Sequence, residues 1–319
     1  MKRLALPALL SLSIAACGGG GGDSIPPAPA ASLKINSSNA VLASEAAYAA
    51  ANQSAGIGDL AGSSGLVAST PGGSAAIAAG QFSKIGRAVT YNVPFGPEEQ
   101  PCAMDGTITI SGNLQNPFSL TENDYFTVVA DRCDDGLGTV IHGTLDFTVV
   151  SFSGDLLGGL YELGMTLAMT DFQVTTADDA LTSNGSATVT INTLNSPFVT
   201  AEVRGNSLTT DSNSGSETLS GFMSSQTLDA GQVPSPYTWT ASGTLDTTAL
   251  AGVVSYSTPV TFEGFDTDYP GTGELLLRGD GSTARLIAEN STDVTIEIDS
   301  DGDGEVDDTI NTTWAELSN

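Results

Sequence analysis

Near the C-terminus, Asp299-Ser300-Asp301-Gly302-Asp303-Gly304-Glu305-Val306-Asp307 gathers the side chains best suited to chemistry in this sequence. Carboxylates stand at relative positions 1, 3, 5 and 9, with a sharp-turn glycine at 6, and residue 7 can add a backbone carbonyl. That spacing can wrap hard oxygens around one Ca²⁺. Carboxylates packed into one loop repel unless a cation lies between them. The expected cofactor is a structural Ca²⁺ pinning the last hairpin; the alternative is an unliganded acidic turn.

Catalysis finds little support. His142 is the only histidine, and alternation groups it with Thr144, Asp146 and Thr148, opposite Ile141, Leu145 and Phe147, which puts it on a solvated strand face. The sequence has no Gly-x-Ser-x-Gly elbow, no His-Glu-x-x-His and no phosphate-cradling Gly-x-x-x-x-Gly-Lys. Carboxylate neighbours such as Asp134 and Asp135, Asp178 and Asp179, or Asp266 and Asp268 could do acid/base work on a glycan, but so acidic a composition produces such neighbours anyway. The expected protein is not an enzyme.

The N-terminus carries chemistry of another kind. Lys2 and Arg3, the apolar run Leu4 to Ala16 and the small residues Ala15 and Ala16 describe an export signal too short to span a bilayer. With Cys17 next, the junction resembles the lipobox of bacterial lipoproteins. That resemblance implies cleavage after residue 16, lipidation of Cys17 and anchoring through acyl chains. Gly18 to Gly22, then Pro26, Pro27 and Pro29, form a tether over residues 17–31. Gly18 stands where an aspartate would retain such a lipoprotein in the inner membrane, so the resemblance favours the outer membrane.

Charge narrows the partners. Without Lys2 and Arg3 the mature chain holds 37 acidic and seven basic residues, a formal charge of −30. Nucleic acid is excluded as a partner, and adsorption to anionic headgroups is disfavoured, so attachment falls to the acyl chains.

With Cys17 committed to lipid, Cys102 and Cys133 remain, and an oxidising compartment allows one bridge between them. Between them Ala103 to Leu114, a turn at Asn116-Pro117 and Asp124 to Arg132 read as strand, loop, strand. Cysteines facing each other at the open end would place Asn113 opposite Glu122. Closing such a loop is worth about 3 to 4 kcal/mol in the chain-entropy model.

Two textures must position these groups. Residues 32–95 are rich in Ala, Gly and Ser, with a helix expected over Asn39–Asn52 (Val41, Leu42, Ala46, Ala49) and a second over Ser74–Val89 (Ala78, Phe82, Ile85, Val89), both packing on a sheet. Residues 96–319 alternate apolar residues with Thr, Ser and acids in about a dozen runs separated by Gly, Asn, Asp and Pro. Leu163, Met165, Leu167 and Met169 share one parity while Phe172 and Val174 share the other, which predicts a β-bulge near Thr170 and Asp171. The expected fold is mainly β: a large antiparallel meander forming a sandwich or incomplete barrel, with one or two short N-terminal helices. A porin-like membrane barrel is excluded, because 6% aromatics cannot supply its girdles.

Two resemblances add to this reading. The Asp-rich loop resembles the Asp-x-Asp-x-Asp-Gly-x-x-Asp hairpin loops of integrin-type propellers, which implies Asp299, Asp301, Asp303, Glu305 through its carbonyl, and Asp307 as ligands. It departs from an EF-hand, having Ile310 at position 12 instead of a bidentate Glu and strand-like flanks. Over its length the chain resembles a group of proteobacterial outer-membrane lipoproteins, through its lipobox, Gly/Pro tether, Ala-rich stretch, Cys-bounded hairpin and the ending Thr313-Trp314-Ala315-Glu316-Leu317. That group has no established activity, so it implies location and architecture only. The expected function is a lipid-anchored envelope protein acting by binding or as a structural component, with a protein or amphiphile partner. The alternatives are a periplasmic carrier of a lipid or other amphiphile in an open barrel, and a glycan hydrolase.

Overall fold

The computed structural model describes residues 28–61, 95–115, 120–136, 138–156, 158–177 and 179–317. The expected signal peptide, Cys17, most of the expected tether, the helix expected over Ser74–Val89 and the turn expected at Asn116-Pro117 lie outside the described residues.

The protein is mainly β, and its fourteen strands form one antiparallel meander sheet. They are β1 (Phe95–Pro101), β2 (Asp105–Asn113), β3 (Tyr125–Asp134), β4 (Val140–Asp155), β5 (Leu160–Thr175), β6 (Ala180–Asn192), β7 (Phe198–Ser212), β8 (Gly215–Asp229), β9 (Pro236–Thr247), β10 (Val253–Phe265), β11 (Thr272–Gly279), β12 (Ser282–Ala288), β13 (Asp293–Asp299) and β14 (Asp308–Thr313). Each pairs with its neighbour in sequence, and the sheet does not close, so β1 and β14 are its edges among the described residues. Alternation drives strand formation as expected: in β13 Val294, Ile296 and Ile298 are buried while Thr295 and Glu297 remain partly solvated.

The anticipated bulge is present. The β5–β6 register shifts between Met169 and Phe172, and Asp171 takes φ +46°. The extra residue returns both parity sets to one face, so Leu163, Met165, Leu167, Met169, Phe172 and Val174 are all buried.

The disulfide Cys102–Cys133 is formed, with Cα atoms 5.4 Å apart, but the register around it differs from the expected one. Asn113 pairs with Tyr125 and not with Glu122. The cause is an unforeseen strand: Phe95–Pro101 pairs with β2, which leaves Cys102 in the β1–β2 turn, its N–H donating to the Gly106 carbonyl at 3.1 Å. A bulge at Arg132, φ +49°, then offsets Cys133 from the ladder. β1 shows no apolar alternation because it is an edge; Pro97, Pro101, Glu98 and Glu99 discourage another strand from adding to it.

Helix α1 spans Ala40–Ala61. Its start is a reciprocal cap: Asn36 Oδ1 accepts the Ser38 N–H, and Asn39 Oδ1 accepts the Asn36 N–H, both at 2.9 Å. The packed face differs from the expected stripe. Leu42 and Ala49 are exposed, whereas Ala40, Ala43, Ser44, Ala47, Tyr48, Ala50 and Ala51 are buried.

Small side chains are what this position requires. The helix touches every strand from β6 to β13. Eight strands spaced about 4.8 Å apart span about 34 Å, which the 22-residue helix, about 33 Å long, matches. Alanine lets the backbones approach, and among the described side chains Tyr48 is the largest that α1 buries against the sheet. Its ring lies 4.7 Å from that of Trp314 and 5.9 Å from that of Trp239, beside Phe262. Trp314 opens the terminal helix α2 (Trp314–Leu317), which a Thr313/Glu316 capping box holds: Glu316 Oε2 accepts the Thr313 N–H at 3.2 Å, and Thr313 Oγ1 accepts the Glu316 N–H at 3.2 Å.

Antiparallel order puts alternate turns at opposite ends of the sheet. At the near end, residues 32–35 are stitched across two turns. Ser32 and Leu33 donate to the Val253 carbonyl at 2.9 and 3.0 Å, Asp280 N–H donates to the Leu33 carbonyl at 2.7 Å, and Ile35 N–H donates to Ser282 Oγ at 2.8 Å. The β13–β14 loop lies at this same end.

Candidate metal centre

β13 delivers Asp299 at its last position and β14 resumes at Asp308, so the Asp-rich segment is a hairpin loop between paired strands, as its flanks suggested. The Asp307 N–H closes it on the Ile298 carbonyl at 2.8 Å. Asp299 is buried, and its carboxylate organises the turn: Oδ1 accepts the Gly302 N–H at 2.6 Å and Oδ2 the Gly304 N–H at 3.0 Å. Gly302 and Gly304 have φ of +78° and +91°, a region that other residues rarely adopt, which is why glycine alternates with aspartate here.

Three predicted ligands converge. Ligand atoms of Asp299, Asp301 and Asp307 all lie within 4.8 Å of one another, so this largely exposed triad could hold a metal ion. Asp303 is not part of it; its Oδ1 accepts the Glu305 N–H at 2.8 Å. Glu305 likewise brings no carboxylate to the triad, its expected contribution being a main-chain carbonyl. The Asp307 carboxylate accepts both the Ser300 N–H (2.8 Å) and Oγ–H (2.6 Å), which holds its pKa below the ordinary value and keeps it charged. Three carboxylates on a turn already folded by its own amides offer the hard oxygen donors that a hard cation takes.

The loop is tied to the rest of the body at the near end. The Asp308 carboxylate bonds to Ser37, just before α1, and this lowers its pKa. Gly302 sits against the Gly281 backbone in the β11–β12 turn, where a side chain would crowd the Gly281 carbonyl.

The other titratable candidates lie elsewhere. His142 is exposed on β4, its Nδ1 3.7 Å from Asp131 Oδ1. Asp134 and Asp135 cap the amides of Gly136 and Thr139, at 2.8 and 3.1 Å. Asp266 accepts the Ser235 N–H at 3.1 Å, and Asp178 falls outside the described residues. These carboxylates serve turns.

One group escaped the sequence reading. Glu217 on β8 shares the inward parity of Leu219 and stands between Thr210 and Thr247 on the neighbouring strands, and burial pushes its pKa up to about 7. Its parity with Leu219 was the available signal. A folded pKa above the unfolded value stabilises fully below about pH 4.5, and the gain is lost as pH rises through about 7. Lowering pH from 8 to 5 is therefore expected to raise stability to urea by about 1–3 kcal/mol, the lower part of that range reflecting the side chain's remaining contact with solvent. Urea titrations of Glu217→Gln should lose this dependence; an unchanged slope in the variant would remove Glu217 as its source.

No family model, curated protein or solved structure matches this chain.

Proposed function

We propose that this protein is a lipid-anchored, non-enzymatic component of the outer membrane, acting by binding or as a structural element, with a structural Ca²⁺ in its last hairpin loop. The observation that carries the reading is the export signal of residues 1–16 followed by Cys17 and a tether that leads into α1 ahead of the β body. Radioactive palmitate should label the native chain at Cys17. An unlabelled protein would overturn the anchor.

The convergence of Asp299, Asp301 and Asp307 supports the metal proposal. An ion bound only by the folded loop stabilises by mass action, about 2.7 kcal/mol at one hundred times its dissociation constant. Added Ca²⁺ is expected to raise the melting temperature, EDTA to reverse the rise, and Asp301→Asn with Asp307→Asn to abolish it. Identical melting in Ca²⁺ and EDTA would sink the proposal.

A second reading, a periplasmic carrier of a lipid or other amphiphile, is favoured by the unclosed sheet with Leu163, Met165, Leu167 and Met169 buried on β5, beside the strands that hold α1. Native mass spectrometry of protein taken from its own envelope decides it: a co-purified amphiphile supports the carrier, and a ligand-free mass opposes it.

A further inference from the structure

The far end of the sheet presents four adjacent hairpin tips at one level. Register sets that level, since Asp155 pairs with Leu160, Glu162 with Asn192, Phe198 with Asp229, and Pro236 with Phe265. Each tip exposes large apolar side chains: Leu156 and Leu160, then Leu194 and Phe198, then Val233, then Phe265. Val233 is 99% exposed. Single exposed apolar residues on a surface need no explanation, but a row on neighbouring tips does. Six strand spacings separate the first hairpin from the last, so the row runs about 29 Å. The near end exposes Met104 and Val306 on two widely separated turns, but its turns also carry Asp134, Asp135, Asp280 and the Asp-rich loop.

Acids are present at the far end too, but two of them are engaged in the turns. Asp229 accepts the Gly231 N–H at 3.0 Å, and Asp266 the Ser235 N–H at 3.1 Å. Asp155 and Asp268 also lie there, so this end remains unsuited to anionic lipid.

We propose that these hairpin tips are the surface by which the body rests on a lipid bilayer, entering the headgroup region of zwitterionic lipid. The proposal rests on the anchored reading above and gives that anchor a direction. Traced backwards, the chain leaves the near end at Ser32 and passes Ala28 against Gly221, partway along β8 toward the far end. From Gly221 to the end of β8 at Asp229 is about 26 Å at strand rise. The eleven residues from Cys17 to Ala28 can span about 36–40 Å when extended. An acylated Cys17 therefore reaches the plane of the tips. Apolar side chains buried about 5–10 Å deep are what an interfacial contact requires.

The test places an environment-sensitive fluorophore on Val233→Cys at the far end or Val306→Cys at the near end, in the native chain and in the Cys17→Ser chain. Vesicles are phosphatidylethanolamine with phosphatidylcholine, part of it doxyl-labelled. The label at 233 is expected to shift to shorter wavelength and lose about half its emission to the doxyl lipid, whereas the label at 306 does neither. Adding Leu194→Asp and Phe198→Asp should abolish the response in the Cys17→Ser chain while circular dichroism stays native. Labels that respond alike, or a label at 233 that stays aqueous on vesicle-bound protein, would overturn the proposal. Acyl mass at Cys17 is read separately by mass spectrometry, so loss of the anchor is distinguishable, and the Cys17→Ser arm still decides the tips.

Discussion

Replacing Trp314 with alanine is expected to cost about 3–5 kcal/mol, the range for emptying a fully buried aromatic site. Trp314 has no solvent exposure and is the residue on which helix, sheet and C-terminus meet. Its ring centroid lies 4.7 Å from Tyr48 of α1, 5.8 Å from Tyr269 and 6.1 Å from Phe262 of β10. Its indole N–H donates to the carbonyls of Pro270 at 3.2 Å and Asn290 at 3.1 Å. Alanine leaves both carbonyls without that donor in addition to opening a cavity. Phenylalanine restores most of the volume but not the donor, so Trp314→Phe should fall between wild type and Trp314→Ala. Urea denaturation followed by circular dichroism measures both variants. An alanine variant within 1 kcal/mol of wild type would show that the terminal residues do not hold α1 in place.

Changing Cys17 to serine is expected to move the protein from the membrane pellet to the soluble fraction. Each buried methylene contributes about 0.8 kcal/mol, one acyl chain gives only marginal attachment, and several give stable anchoring. The acidic body supplies no compensating electrostatic attraction. Contact through the hairpin tips is weak beside acyl insertion, so it should appear for the serine variant only at raised lipid concentration. Fractionation of native and Cys17→Ser cells, together with palmitate labelling, provides the measurement. A serine variant that pellets with membranes like the native chain would remove the acyl chains as the cause of attachment.

Much of the fold was legible because its signals are local. Period-two alternation marked the strands, and the parity change between Met169 and Phe172 marked a bulge within a residue or two. Aspartate and glycine spacing marked a loop whose carboxylates do converge, although only Asp299, Asp301 and Asp307 form the triad. Asp303 Oδ1 accepts the Glu305 N–H, a contact that position in the chain does not reveal. β1 went unread because an edge strand needs no buried face and here avoids looking like one. The Cys102–Cys133 bridge was foreseen, but its register was not, since the added strand moved Cys102 into a turn.

From sequence alone came the reading of an export signal with its cysteine, the strong net acidity, the antiparallel β character, the single bridge and the acidic hairpin loop. Each is written within a window of a few residues or in total composition. Tertiary structure alone decided that fourteen strands stay one unclosed sheet, that alanines of α1 pack across eight of them, that Glu217 is half-buried, and that four apolar hairpin tips align. Whether a sheet closes depends on twists and bulges added up over all its strands, and level alignment depends on register summed across every pair. Such quantities belong to no single segment, so they exist only once the chain has folded.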